Sequence, residues 1–423
     1  MRWPAGWRDP SRLELLEGTP INCLLLAAEG EQLQAIREQA GKRGLTCLTV
    51  VGSDAPAASP QIRIHPRSTL DWRTADPVLA VSECVWPAVA GGSGGAQAGP
   101  TGVPWVDSNG WFVQLARTLR PRQVLWLVFE PPEKVLLRPE AYALAVADCE
   151  TYGGRWVIAL DAVAESDPAR ARGLLAAAGR AVRFFMQHAR WRTFVPHAAV
   201  GILSDFSGAN RDPSYELLNL LARRPLPFRI LENARGAALP LEGLKAVIYA
   251  DQQPPEAPLR ERLLAFARAG GLLVTGPQWG AREGAPAPGD VYERFTVWRT
   301  GKGRLAIAKE ELSDPYLAAL DVHLLLGHEH DLLRLWNGGS LNVYYTSSPA
   351  AGRSGLLQLV NYTTRRAAHP VTVGLAQPYK KARFWDLGAD SPRPLEIQAA
   401  ARGIELPLPE FSVYAAIELE EEA

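Results

Sequence analysis

Cysteine is scarce in this chain and confined to one end of it. Four occur in 423 residues, Cys23, Cys47, Cys84 and Cys149, with none after position 149. None forms a Cys-x-x-Cys pair, so they read as small buried core thiols. Excess charge is lacking as well. Lys plus Arg and Asp plus Glu both number 45, and neither sign gathers into long blocks apart from the acidic tail Glu418 to Glu422. No electrostatic footprint for nucleic acid is present. Apolar runs such as Leu24 to Ala28 and Val124 to Phe129 are far short of the ~18 residues a membrane span needs. A soluble protein is expected. The opening "MRWPAGWRDPSRLELLEG" has no apolar signal-peptide core, which makes the cytoplasm the default location; an exported protein that had lost its leader would read the same way. No cofactor motif stands out. "RTGKGR" from Arg299 lacks the Gly-x-x-x-x-Gly-Lys-Ser/Thr spacing that cradles phosphate and reads as a hairpin turn.

What is present is length and alternation. At ~100–200 residues per domain the chain predicts two or three domains. Up to about Trp191, short apolar runs alternate with amphipathic stretches: "INCLLLA", "LTCLTVVG", "IRIH", "PVLAVSE", "VPWVD", "VLWLVFE" and "RWVIALD" are seven strand candidates. Near-continuous apolar strands alternating with helices predict parallel strands buried on both faces. Residues 1–193 therefore predict a degenerate or incomplete (β/α)8 barrel, shorter than the ~200–250 residues such barrels take, with an open α/β sheet as the alternative. Residues 197–282 restart the pattern with "AAVGILSDF", "PFRILEN", "LKAVIYAD" and "GGLLVTG" around two helices, which predicts a flavodoxin-like α/β layer. "ANRDPS" after Phe206 reads as the loop and cap entering the first of them. The Gly- and Pro-rich "AREGAPAPGD" marks a break. Residues 290–423 read as strands interrupted by one helical stretch, "DPYLAALDVHLLLGHEHDLLRLW", and predict an antiparallel β-sandwich.

This order of layers resembles that of the family 42 β-galactosidases and related clan A glycoside hydrolases. The local carriers are "HAAVGILSDFSGAN", "LLAFARAGGLLVTGP" and "GLLQLVNYTTRRAAHPVTVGL". The resemblance implies carbohydrate as the ligand, two carboxylates as the chemistry, and self-association, a trimer, through the middle layer. That layer also resembles class I glutamine amidotransferase domains, but the turn after "AVIYAD" reads "QQPP" and no cysteine is available, which excludes a thioester mechanism.

In a parallel barrel the reactive groups stand at the C-terminal ends of strands. Four strand candidates end in an acid: Glu83, Asp107, Glu130 and Asp161. Counted along the seven candidates, Glu83 ends the fourth and Asp161 the seventh, the places where the resemblance puts acid/base and nucleophile. Glu130 and Asp107 are alternates. The family shows Asn-Glu at the fourth strand and Glu at the seventh, whereas Ser82 precedes Glu83 here and Asp161 is an aspartate. Asp107 reads equally as a cap of the "GWFVQLAR" helix. In "PWVDSNGWFVQLAR", indoles flank short polar side chains, an arrangement suited to sugar faces and hydroxyls; Trp86, Asn109 and Trp111 are the sugar-contact candidates, while Trp126 and Trp156 read as core. In "HLLLGHEHD", His323, His328, His330 and Asp331 include metal-ligand types. A helix expected from Tyr316 to Leu335 would point them apart, so the site prediction contains no metal. Two functions stay open: a glycoside hydrolase, or a non-catalytic carbohydrate-binding or assembly protein with a degenerate site.

Overall fold

The computed structural model of the chain describes residues 1–423 except 28–30, 53–59, 90, 93–94, 97–103, 134, 225, 235–237, 281–284, 287–291, 311, 313–314, 350–353, 367–368 and 422–423. Six strands near the N-terminus pair in sequence order and all in parallel: β1 (Cys23–Leu26), β2 (Thr46–Val51), β3 (Gln61–Pro66), β4 (Val78–Ser82), β5 (Val124–Val128) and β6 (Arg155–Val157). Alternation of side chains sends Leu24, Leu26, Leu79, Val81, Leu125 and Leu127 toward the helices α1 (Glu31–Lys42), α2 (Gly110–Leu119), α3 (Pro139–Glu150) and α5 (Pro168–Gln187). On the opposite face Leu25, Ile62, Ala80, Val128 and Val157 make a core of their own to which no helix contributes. The sheet curls into a half-barrel over this second core. Its two edges come close enough to share one segment: Arg2 N–H donates to Ile158 O (2.8 Å), past the end of β6, while Trp3 N–H donates to Leu25 O (2.9 Å) in β1.

One of the seven expected strands, "VPWVD", is absent from this sheet. β4 pairs directly with β5, and Val106–Asp107 pairs antiparallel with Ala88–Val89 instead. Only Val106 and Asp107 pair there, between Pro104, which has no N–H to give a ladder, and α2, which begins at Gly110. Asp161 consequently follows the sixth strand, not the seventh.

A second sheet follows. β7 (Val200–Ser204), β8 (Phe228–Glu232), β9 (Ala246–Tyr249) and β10 (Leu272–Thr275) are parallel in the order β8-β7-β9-β10, with α6 (Arg211–Ala222) and α7 (Ala257–Arg268) between them. A short 3₁₀ turn, Gly208–Asn210, leads into α6. β11 (Phe295–Thr300) and β12 (Gly303–Ala308), expected to open the terminal region, extend this sheet: β12 runs parallel to β10 and β11 antiparallel to β12. "RTGKGR" is their hairpin. A Cβ on Gly303 would stand 2.2 Å from Gly271 O, so packing requires that glycine. The "AREGAPAPGD" break lies outside the described residues except Ala285–Pro286, which pairs with β11.

Two antiparallel sheets complete the chain. One is built on β14 (Leu341–Ser347), β15 (Ser354–Asn361), β17 (Lys381–Asp386) and β19 (Tyr414–Glu420), the other on β13 (Leu333–Trp336), β16 (Thr372–Leu375) and β18 (Ile404–Pro407). Leu357, Leu359 and Ile417 of the first meet Leu333, Val373 and Leu406 of the second in one core. The first sheet turns its other face to α3 and α5, where Tyr344 lies on Tyr152 (4.7 Å) and Tyr414 on Phe185 (4.9 Å). The helix expected from Tyr316 to Leu335 stops early: α8 spans Pro315–Leu326, and Gly327 at φ 81° turns the chain out of it. Glycine after the last periodic residue is the ordinary stop signal. All four cysteines are free, Cys84 and Cys149 buried and the other two partly so.

Candidate functional site

The four strand-end acids are divided between two cavities at the C-terminal edge of the half-barrel. A cavity of about 400 Å³ opens past β3 and β4 and is closed on its far side by α6; Glu83, Trp105, Asp107, Trp111, Tyr215 and Arg223 line it. Glu83 follows the last residue of β4 in the left-handed region at φ 58°, a conformation that costs a non-glycine residue about 1 kcal/mol or more. Its exposed carboxylate accepts the backbone N–H of Ser68 (2.9 Å). That hydrogen bond, helped by the charge of Arg67, holds its pKa below the usual carboxylate value. Asp107 accepts the indole N–H of Trp105 (3.0 Å). Above the Trp105 ring lies the Arg223 guanidinium, 3.5 Å from the centroid. Burial lowers the pKa of Arg223, and its Nε and Nη1 are buried without a hydrogen-bond partner. Trp111 packs on Tyr215 (5.4 Å), whose hydroxyl accepts from Trp72 Nε1 (3.0 Å) and whose pKa is raised by burial.

Trp86 and Asn109 stand behind this cavity. Trp86 is wedged edge-on against Tyr142 and Trp156, at 5.2 and 5.3 Å, leaving no ring face for a sugar. Asn109 is 0% exposed. Its Oδ1 accepts from Val85 N–H (3.0 Å), and its Nδ2 donates to Val85 O and to Asp148 Oδ2, both at 2.9 Å. It pins the loop that carries Glu83 to α3. Asn109, not Asp107, occupies the cap position of α2, and its side chain makes no capping bond.

The second cavity, of about 460 Å³, lies past β1, β5 and β6 and includes Glu130, Asp161 and Glu165. Glu130 is exposed and pairs with Arg2 (2.6 Å). Asp161 is 5% exposed and occupied: it caps α4 (Ala162–Ser166) through Ala164 N–H (2.8 Å) and accepts Nη2 (2.6 Å) and Nε (3.3 Å) of Arg170. Glu165, not foreseen from the sequence, has its pKa raised by burial and then by Glu130 and Asp161, against the opposing charge of Arg2. Glu83 and Asp161 thus line different cavities.

At the strand ends of the middle sheet, where the amidotransferase nucleophile would stand, Asp251 is 2% exposed. It accepts Ser204 Oγ–H (2.6 Å), Asn233 Nδ2 (2.6 Å) and Asp205 N–H (3.1 Å). Burial raises its pKa, the hydrogen bonds opposing. Among the described residues one group, His323, His328 and Asp331, brings three metal-ligand atoms within 4.8 Å of one another; His330 stands outside it. No described helix is long and apolar enough to cross a membrane.

No protein-family model matches the chain, and no curated protein matches it in sequence. Solved structures do match in fold. An α-L-fucosidase isoenzyme 2 from Paenibacillus thiaminolyticus is 14% identical with a TM-score of 0.54, over 97% of this chain and 79% of its own. A β-galactosidase from Bacillus circulans sp. alkalophilus is 13% identical with a TM-score of 0.52, over 92% of this chain. A rhamnosidase from Novosphingobium sp. PP1Y is 13% identical with a TM-score of 0.50, over 93% of this chain. The chain spans 66% of the galactosidase and 39% of the rhamnosidase, less than two thirds of either. The chain shares its fold with these glycosidases, at 13–14% identity.

Proposed function

We propose that the cavity between the half-barrel and α6 binds a carbohydrate and hydrolyses its glycosidic bond, with Glu83 and Asp107 as the carboxylate pair. The observation that carries this reading is Glu83, held in a left-handed conformation at a strand end beside Asp107 and the indoles of Trp105 and Trp111. Strain of this kind persists where the surroundings impose it, and it gathers at functional sites. A hydrogen bond from Ser68 favours the ionised form of Glu83, which suits a nucleophile or base. Asp107 is then the proton donor to the leaving oxygen. Indole faces supply stacking for a sugar ring, and Tyr215 and Arg223 supply hydrogen-bond groups. Asp161, engaged by Arg170 and its helix, is a positioning residue in this reading, and Glu130 faces the second cavity.

The rest of the chain is read as support. The strand order β8-β7-β9-β10 favours a flavodoxin-like layer, with Asp251 in place of a nucleophile. The single core between the two terminal sheets favours a β-sandwich. Extension of the middle sheet by β11 and β12 favours a boundary of that layer beyond residue 282. Trimeric self-association remains a proposal from resemblance alone.

A second reading, saccharide binding without hydrolysis, is favoured by the same separation of Glu83 from Asp161. Release of chromophore from a panel of aryl glycosides, with saccharide binding followed by tryptophan fluorescence, distinguishes the two. The hydrolase reading expects turnover that falls about 10³-fold in Glu83→Gln and in Asp107→Asn. Binding that survives in a protein with no turnover on any glycoside supports the second reading. Turnover abolished by Glu130→Gln and untouched by Glu83→Gln would move the chemistry to the other cavity.

A further inference from the structure

We propose that His323, His328 and Asp331 bind one divalent transition-metal ion of the zinc class, at the junction of α8 and β13. Where α8 ends, Gly327 at φ 81° reverses the chain, a backbone conformation that a side chain would strain. His328 is thereby brought back over His323, ring centroids 5.2 Å apart. The Asp331 carboxylate lies between them: Oδ1 is 3.4 Å from His323 Nε2 and Oδ2 is 3.0 Å from His328 Nδ1. Ligands 2.0–2.2 Å from a tetrahedral zinc stand about 3.4 Å from one another. The two separations run to different oxygens of the carboxylate, and the second is a hydrogen bond between His328 Nδ1 and Asp331 Oδ2. One ligand atom from each of the three residues lies within 4.8 Å of the others, and the set closes on an ion through His328, whose side chain is 75% exposed and would exchange that hydrogen bond for the metal.

His323 supplies an independent observation. Its Nε2 is buried and has no hydrogen-bond partner, although it faces a carboxylate oxygen. A cation standing between that nitrogen and the carboxylate oxygen would engage both. Arg334 Nε donates to Asp331 Oδ2 (3.1 Å), the outer hydrogen bond that ligating carboxylates commonly carry. Arg224 and Arg402 add positive charge nearby, the first acting on His323 and the second donating to His328 O; both weaken cation binding without occupying a ligand atom. Two imidazoles and one carboxylate suit Zn²⁺, Co²⁺, Ni²⁺ and Cu²⁺ and are a poor set for Ca²⁺ or Mg²⁺. The fourth position opens toward solvent. An ion there would tie the end of α8, which packs on α6, to the four-stranded terminal sheet.

The full-length chain, freed of metal with a chelator, is titrated with Zn²⁺ by calorimetry and with Co²⁺ by visible absorption. One Co²⁺ per chain with a tetrahedral-type visible band, and a rise in Tm with Zn²⁺, are expected. His323→Ala and His328→Ala each weaken binding at least about 100-fold, whereas His330→Ala, beside Glu329 and outside the cluster, stays within about twofold. Should His323→Ala unfold, His328→Ala decides, because its exposed side chain leaves the core intact. Absence of stoichiometric binding, or binding that His328→Ala does not weaken, overturns the proposal.

Discussion

The C-terminal edges of the half-barrel and of the middle sheet are built from the same material, acids at the ends of parallel strands, and they end differently. In the middle sheet the acid at the end of β9, Asp251, is enclosed and satisfied by Ser204, Asn233 and the backbone of Asp205. At the half-barrel edge Glu83 is left in solvent and in a strained conformation, and Arg223 is buried with unpartnered nitrogens. A polar group whose partners are all internal braces the fold; one whose partners are missing is available to a ligand. In the proposed reading the middle-sheet edge serves stability and the Glu83 side of the half-barrel edge serves binding.

Asp251→Ala tests that assignment most severely. It strands the Ser204 hydroxyl, the Asn233 amide and the Asp205 N–H in the interior, at 1–3 kcal/mol for each buried group left unsatisfied, and should cost roughly 4 kcal/mol in denaturant unfolding. Saccharide binding by the fraction still folded should be unchanged. Weakened binding in the folded variant would show that the two edges are not separate in function.

A second internal carboxylate sharpens the same comparison through pH. Asp148 is fully buried on α3, where it accepts from Asn109 N–H, Asn109 Nδ2 and Tyr362 Oη–H. Burial pushes its pKa up to about 6, those hydrogen bonds opposing. An unfolded aspartate titrates near 3.9, so the native state holds this proton more tightly. The contribution is present in full below about pH 4 and is lost as pH rises through about 6, amounting to about 3 kcal/mol by pH 7. Equilibrium unfolding between pH 4 and 8 should show this decline, and Asp148→Asn should flatten it. A wild-type profile with no such decline, or one unchanged in Asp148→Asn, would remove Asp148 as its source.

The sequence made the alternation of strands and helices legible, and with it six parallel strands and the placing of Glu83, Asp107 and Trp111 near one another. It hid what depends on partners distant in the chain. The count of seven fails because "VPWVD" contributes only Val106 and Asp107, which pair with Ala88–Val89 outside the half-barrel sheet. Asp161 reads like a catalytic acid until Arg170, on the following helix, takes both of its oxygens. Tyr215 on α6 and Arg223 at its end come more than 130 residues after the strands they face, and no local pattern announces them. Gly327 is the contrary case, a local stop signal that converts a helix with histidines pointing apart into a turn that brings two of them together.

The smallest expected effect separates an indole that faces a ligand from one that faces the core. Trp105 carries Arg223 on its ring and donates its N–H to Asp107, so its face and its edge both shape the cavity. Phenylalanine keeps a ring but weakens the cation–π attraction and deletes the donor, each worth about 0.5 kcal/mol. Trp105→Phe should therefore weaken saccharide binding about fivefold, the equivalent of ~1 kcal/mol. Trp86→Phe alters a ring already enclosed by Tyr142 and Trp156 and should lower Tm while leaving binding within about twofold. The buried N–H of Trp86 has no partner to lose, which keeps that control free of hydrogen-bond effects. Equal losses of binding in both variants would mean that the cavity responds to general loosening of the core, and the distinction between the facing and the enclosed indole would fall.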